Sequence, residues 1–178
     1  AMTANGCVDT QDVKLTVYPK PEITSSLTPD TICSGDEFNN ALTFNIALGN
    51  YSWSRQYING IEENEGSGNN TPIVETLTNS GISLITVRYN VVMESTQGCS
   101  NTQDVKVGVS PKPTLSSTLY PNSICSGGTF NYTARSRTSD VIYSWERIAN
   151  SDITPTPTGS VAGAAITEVL TSNSTSPV

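Results

Sequence analysis

An internal repeat with a period of 92 residues limits the possible folds of this chain more than any other feature. Four pairs of short motifs carry it: Gly6-Cys7 with Gly98-Cys99, Thr10–Val13 with Thr102–Val105, Ile32–Gly35 with Ile124–Gly127, and Tyr51–Trp53 with Tyr143–Trp145. This period is longer than that of a solenoid repeat and matches one complete small β-sandwich. We therefore expect each copy to fold as a separate domain.

Two Pro-Lys-Pro segments, residues 19–21 and 111–113, lie at equivalent places just after strand-like runs. Proline at alternate positions stiffens a chain and withholds donors from a sheet, which suits a linker between domains. The predicted division follows from these segments. Residues 1–18 form the final strand of a preceding copy, residues 19–110 form a complete copy, and residues 111–178 form a second copy that ends before its last strands.

Within each copy, apolar and polar residues alternate in the pattern of half-buried strands, as in residues 13–17, 87–93 and 105–109. Five or more such runs per copy, separated by Gly and Asn clusters, predict an all-β fold of tandem immunoglobulin-like antiparallel sandwiches. The aromatic residues of the Tyr-Ser-Trp motif recur at the same place in both copies, so we predict that they belong to the cores. These residues are Tyr51, Trp53, Tyr143 and Trp145.

The composition argues against catalysis and against two classes of partner. The sequence contains no His, the commonest general base and zinc ligand, and it has no phosphate-binding glycine motif. Its net charge of -7 disfavours nucleic acid and anionic membrane surfaces, which need clustered Lys and Arg. No apolar run is long enough for a bilayer span. We therefore expect a protein that is not an enzyme and does not bind nucleic acid or insert into a membrane.

The four cysteines occupy two positions of the repeat, and their even number without a Cys-x-x-Cys motif favours disulfides in an oxidising compartment. Pairing Cys7 with Cys33 and Cys99 with Cys125 treats both copies alike. Pairing Cys33 with Cys99 leaves two thiols over and joins opposite ends of a sandwich, beyond the reach of a disulfide. A third possibility is that the partners lie outside this chain.

Three carboxylates in an Asn-rich loop, Glu62, Glu63 and Glu65, are candidate calcium ligands. The loop lacks the Asp-x-Asp spacing of a dedicated site, and the second copy has residues 153–157 (Ile-Thr-Pro-Thr-Pro) at this place. A solvated loop is therefore the favoured interpretation, and no other cofactor is predicted.

Taken in order, Gly-Cys, Val-x-Val-x-Pro-x-Pro, Ile-Cys-Ser-Gly, Tyr-Ser-Trp and Glu-x-Leu-Thr resemble the PKD-like or immunoglobulin-like repeats of giant surface proteins in gliding bacteria. The resemblance implies type IX secretion, display at the extracellular cell surface and a role in adhesion or gliding motility. It offers no catalytic residues. The predicted function is a structural and adhesive spacer whose partners are the neighbouring repeats.

Two other functions remain open. The chain could bind an extracellular glycan or protein through loops that differ between the copies, such as residues 59–70 and 149–165. It could also supply accessory domains to a secreted hydrolase.

Overall fold

The computed structural model describes residues 1–157 and 159–178, and these residues form twelve strands and no helix. The all-β prediction is confirmed. None of them accordingly forms a helix that could cross a membrane. The strands are β1 (Ile32–Cys33), β2 (Asp36–Asn40), β3 (Leu48–Arg55), β4 (Gly66–Asn69), β5 (Ile73–Leu77), β6 (Ile85–Ser95), β7 (Ser100–Ser110), β8 (Gly128–Thr133), β9 (Ser144–Trp145), β10 (Ile153–Thr154), β11 (Val161–Ala162) and β12 (Ala165–Ser172).

Strands β1 to β7 build a sandwich of two sheets. One sheet has the order β1-β7-β6-β3-β4, and the other pairs β2 with β5. All pairings in both sheets are antiparallel except that of β1 with β7. The sheets meet through aromatic side chains, as where Phe38 of β2 stacks on Tyr89 of β6 with ring centroids 5.4 Å apart.

The hydrophobic core lies entirely inside this sandwich, because every buried apolar side chain among the described residues falls between Pro21 and Val109. The β6–β7 hairpin contributes most of it through alternate positions that point inward. Seven of its side chains are fully buried: Val87, Tyr89, Val91, Met93, Val105, Val107 and Val109. Residues 19–110 therefore contain a closed core of their own.

Residues 111–178 repeat part of this architecture without closing it. Strand β8 pairs with β12 as β2 pairs with β5, and β9 pairs with β11 as β3 pairs with β4. No described residue of this segment is buried, and Trp145 is only half-buried. The reason is that no described strand occupies the places that β6 and β7 hold in the first sandwich.

The N-terminal residues 1–20 are exposed throughout, and their only strand-like contact is a bridge between Met2 and Val8. Val13 is 94% exposed, whereas Val105, the equivalent residue in β7, is 0% exposed. Among residues 1–157 and 159–178, the segment predicted to be a final strand thus has no strand beside it with which to form a ladder. The turn before it is nevertheless formed, with Thr3 N–H donating to the Cys7 carbonyl.

The same turn recurs 92 residues later, where Ser95 N–H donates to the Cys99 carbonyl. In both turns the preceding glycine, Gly6 or Gly98, has a positive φ near 80° that favours glycine. This repeated geometry supports the predicted division into copies, which stays a prediction.

We expect residues 19–110, expressed alone, to unfold in one cooperative transition, because their core needs no residue from outside. Residues 111–178 alone should show no cooperative transition. Urea titrations test this, monitored by the fluorescence of Trp53 for residues 19–110 and of Trp145 for residues 111–178, with the Trp145→Phe form of the whole chain as the reference for Trp53. The two midpoints should agree. A midpoint for residues 19–110 far below that of the whole chain would contradict the expectation.

Candidate functional site

A buried ion pair joins the two sheets of the closed sandwich. Arg55 ends β3 and is 1% exposed, and Glu75 lies in the middle of β5. The guanidinium binds the carboxylate in a bidentate manner, with Nε 2.7 Å from Oε2 and Nη2 3.1 Å from Oε1. Arg55 Nη2 also donates to the Asn64 carbonyl. The pair therefore fixes β3, β5 and the intervening loop relative to one another.

Tyr89 of β6 completes this cluster by donating its hydroxyl to Glu75 Oε2 over 2.6 Å. Burial, together with the hydrogen bond and the charge of Glu75, raises the pKa of Tyr89 far above its usual value. For Arg55, burial alone would lower the pKa, but the hydrogen bond and charge of Glu75 outweigh it and raise the pKa. Both groups therefore keep their protons at neutral pH.

Two glycines of β4 leave room for side chains of the cluster and of the core, because neither glycine carries a Cβ. A Cβ on Gly66 would lie 1.9 Å from Glu75 Oε1, and a Cβ on Gly68 would lie 2.6 Å from Trp53 Nε1. The indole nitrogen can then donate to the Thr71 carbonyl at 3.2 Å. Residues 66–69, which the sequence places in a variable loop, are thus a strand whose glycines are required by their neighbours.

The second copy has the same ion pair in a more open setting. Arg147 Nε lies 3.2 Å from Glu168 Oε2, and these side chains are 17% and 18% exposed. No tyrosine hydroxyl reaches Glu168 among the described residues. Val161 pairs with Trp145 at the place where Gly68 pairs with Trp53, and the buried Trp145 indole nitrogen has no hydrogen-bond partner in the described part of the chain.

The cluster of Arg55, Glu75 and Tyr89 is suited to structure rather than to catalysis. Both oxygens of Glu75 accept hydrogen bonds from Arg55 or Tyr89, so the carboxylate is held between β3 and β6 by its neighbours in the fold. The sequence interpretation overlooked this site. Its signal was present, because Arg55 recurs as Arg147 and Glu75 recurs as Glu168 within the repeat.

The candidate calcium ligands do not converge. Among the described residues, no three side chains of His, Cys, Asp or Glu are close enough to hold a metal ion. Glu63 instead accepts a hydrogen bond from the Thr78 N–H at 2.8 Å. Burial tends to raise the pKa of Glu63, but the hydrogen bonds from Thr78 prevail and lower it. This carboxylate therefore anchors its loop to the end of β5.

All four cysteines carry free thiols, so neither of the pairings considered from the sequence is formed in the structure. Cys7, Cys33 and Cys125 are exposed, and Cys99 is half-buried. In the parallel pairing of β1 with β7, Cys33 lies beside Ser110. Cys99 precedes the other end of β7, so Cys33 and Cys99 are separated by about the length of that strand.

The predicted core aromatics have different surroundings in the two halves. Trp53 is 6% exposed and packs edge-to-face on Tyr89, with ring centroids 5.7 Å apart. Tyr51 is half-buried and packs on Phe44 at 4.9 Å. Their counterparts Tyr143 and Trp145 are also half-buried, but they belong to no buried cluster.

A comparison with known families finds a match for part of the chain. Residues 30–113 match the family model of the PKD-like domain. The match covers strands β1 to β7 and therefore the closed sandwich. No curated protein matches the chain.

We expect Arg55→Met to destabilise the sandwich by about 3–5 kcal/mol, because it leaves a largely buried carboxylate without its cation. The matched control is Arg88→Met, which removes the exposed ion pair between Arg88 and Asp104 on the outer surface of the same sheet. That change should have little effect, since solvent screens an exposed pair. Urea unfolding of both variants gives the comparison. Equal losses of stability in the two variants would show that the cluster has no special structural role.

Proposed function

We propose that this protein is a non-catalytic structural and adhesive spacer module of a large secreted cell-surface protein. The observation that carries the proposal is that the chain enters and leaves the closed sandwich at opposite ends. Such an arrangement gives each copy its full length as a spacer. The PKD-like match of residues 30–113 and the sequence resemblance to surface repeats also support it.

The entry point is fixed to the beginning of β7. Asn101 Nδ2 donates to the Pro21 carbonyl at 2.8 Å, and Ile23 N–H donates to the Gln103 side-chain oxygen at 2.7 Å. The exit follows Ser110 at the other end of β7. An eleven-residue strand extends over about 33 Å, so the two linkers are separated by the long axis of the sandwich.

A tensile load on the two linkers would act along β7 and its neighbours. The segment that follows the entry is held to β7 by the parallel pairing of β1, by Lys106 N–H donating to the Leu27 carbonyl, and by Ser34 N–H donating to the Ser110 carbonyl. These bonds link the first and last strands of the copy. Because they lie side by side, a load along the axis stretches them together rather than one after another.

We expect Lys106→Pro to lower the force at which residues 19–110 unfold, because proline cannot donate to Leu27. The matched control is Lys106→Ala, which keeps the N–H group. Single-molecule pulling of a polyprotein of residues 19–110 measures the force, and the unfolding rate governs that force. If the proline variant unfolds at the same force as the alanine variant, the hydrogen bond from Lys106 N–H to Leu27 does not resist the load.

The strongest alternative is a module that binds an extracellular glycan or protein through residues 59–70 and 149–165. Their described residues include the strands β4, β10 and β11, and residue 158 lies outside the described residues. Their divergence between the copies permits binding without requiring it. A third proposal, accessory domains of a secreted hydrolase, depends on regions of the parent protein outside this chain.

A glycan array probed with the whole chain separates the first two functions. A pure spacer should retain no glycan above background. Reproducible binding that is lost on replacing residues 62–65 with Gly and Ser would favour the binding module instead. The control keeps residues 62–65 and replaces the exposed N-terminal residues 13–17, which lie outside the sandwich.

Secretion by the type IX pathway and a role in gliding motility remain part of the proposal. They rest on the resemblance of the repeat motifs to surface proteins of gliding bacteria. Calcium binding is not part of it, because the candidate carboxylates do not gather.

A further inference from the structure

One cysteine of each copy lies at the end where the chain enters. Cys99 follows the turn between β6 and β7, and its Sγ is 4.0 Å from the carbonyl oxygen of Tyr18. Tyr18 directly precedes the Pro-Lys-Pro linker of residues 19–21. The thiol of Cys99 therefore borders the last peptide of the preceding copy.

The other cysteine lies at the end where the chain leaves. Cys33 is the register partner of Ser110, and Ser34 N–H donates to the Ser110 carbonyl at 2.8 Å. The side chain of Lys112 in the following linker reaches the same turn, because a Cβ on Gly35 would lie 3.3 Å from Lys112 Nζ. Cys33 is exposed at this junction.

The two junctions can be superposed through the repeat. Tyr18 and Ser110 are 92 residues apart and therefore occupy the same position in consecutive copies. Cys33 lies beside Ser110, which belongs to the same copy. Cys99 lies beside Tyr18, which belongs to the preceding copy. In a tandem array, the last residue of a copy would therefore lie beside two thiols. One is at the Cys33 position of that copy, and the other is at the Cys99 position of the next copy.

We infer that consecutive copies are joined by a disulfide between the cysteine at the Cys33 position of one copy and the cysteine at the Cys99 position of the next. This inference deepens the proposed spacer function, since it rests on the tandem arrangement. It assigns the partners of Cys33 and Cys99 to copies on either side of the closed sandwich. It also agrees with the four free thiols in the structure.

The pairings within this chain are less favourable. Cys33 and Cys99 of one copy are on the order of 35 Å apart along β7, whereas a disulfide needs Cα atoms roughly 4.4–6.8 Å apart. Cys99 lies at the entry end of its copy, and Cys125, the equivalent of Cys33, belongs to the exit end of the following copy. A bond between them would have to join the two ends that are farthest apart. The disulfide across the junction is the pairing that connects neighbouring ends.

The bond forms by thiol–disulfide exchange with an oxidised small-molecule disulfide such as glutathione disulfide. One cysteine thiolate attacks the reagent and releases one reduced thiol. The second cysteine then attacks the mixed disulfide and releases the other. Two protein thiols are thereby oxidised, two reagent thiols are formed, and the two protons pass to the released thiols.

The test uses a two-copy protein in which residues 19–110 are followed directly by a second set of residues 19–110, because each set contains a closed core. After oxidation with glutathione disulfide, alkylation and proteolysis, mass spectrometry should find one Cys33–Cys99 cross-link per molecule. Because the two copies give identical peptides, two variants assign this cross-link to Cys33 of the first copy and Cys99 of the second. Cys33→Ser in the first copy should abolish it. The matched control, Cys33→Ser in the second copy, should leave its yield unchanged.

A cross-link between Cys33 and Cys99 of one copy would overturn the inference. So would the absence of any cross-link within a monomer whose two copies unfold cooperatively. The 178-residue chain itself should form no disulfide between its own cysteines as a monomer under the same oxidation. If the cross-link is absent but the unfolding force of residues 19–110 still depends on the Lys106 N–H, only the disulfide inference fails and the spacer function stands.

Discussion

The β6–β7 hairpin is the part of the structure on which everything else depends. Where it is present, its inward side chains are fully buried and the sandwich has a closed core. Residues 111–178 form the counterparts of the β2–β5 and β3–β4 pairings, yet no described residue there is buried. Hydrogen-bonded strand pairs alone therefore do not exclude water from the apolar side chains. Water is excluded where the β6–β7 hairpin covers those side chains.

The buried cluster of Arg55, Glu75 and Tyr89 depends on the hairpin in turn. Tyr89 belongs to β6, so the third donor to the carboxylate arrives only when the hairpin packs on the core. In the second copy, Arg147 and Glu168 still pair, but they are more exposed and have no tyrosine partner among the described residues. A buried ion pair does not by itself add much stability, because desolvation offsets attraction. The cluster instead specifies how the two sheets are aligned. The two hydrogen bonds from Arg55 and the third from Tyr89 can all reach Glu75 in only one register.

The sequence predicts the strands well where one face of a strand is buried and the other is solvated. Alternation in residues 105–109 identifies β7 because its valines point inward while polar residues point outward. It does not identify β4, because Gly66 and Gly68 have no side chains from which to read a pattern. Their role depends on Glu75 and Trp53, which occupy the space beside them. Only the fold brings those residues together.

The candidate site was harder to predict for a related reason. Arginine and glutamate are usually exposed, so composition and periodicity place Arg55 and Glu75 in solvent. Their recurrence in the second copy was the available signal, and it becomes informative only when two recurring charges of opposite sign are considered together. Glu62, Glu63 and Glu65 were candidate calcium ligands because they are close in sequence. The sequence does not show whether their carboxylates point toward one another. In the fold, Glu63 is engaged with the backbone of Thr78.

The positions of the cysteines connect these points to the proposed mechanics. Each copy has one thiol at the start of β7 and one beside its end, so the strand that completes the core also separates the two thiols. In an array with the proposed disulfides, the covalent bond would join β1 of one copy to the start of β7 in the next, so tension would cross from β7 to β1 within each copy. The sandwich would still bear the tension along β7, where the contacts from Leu27 and Ser34 hold the first strand to the last.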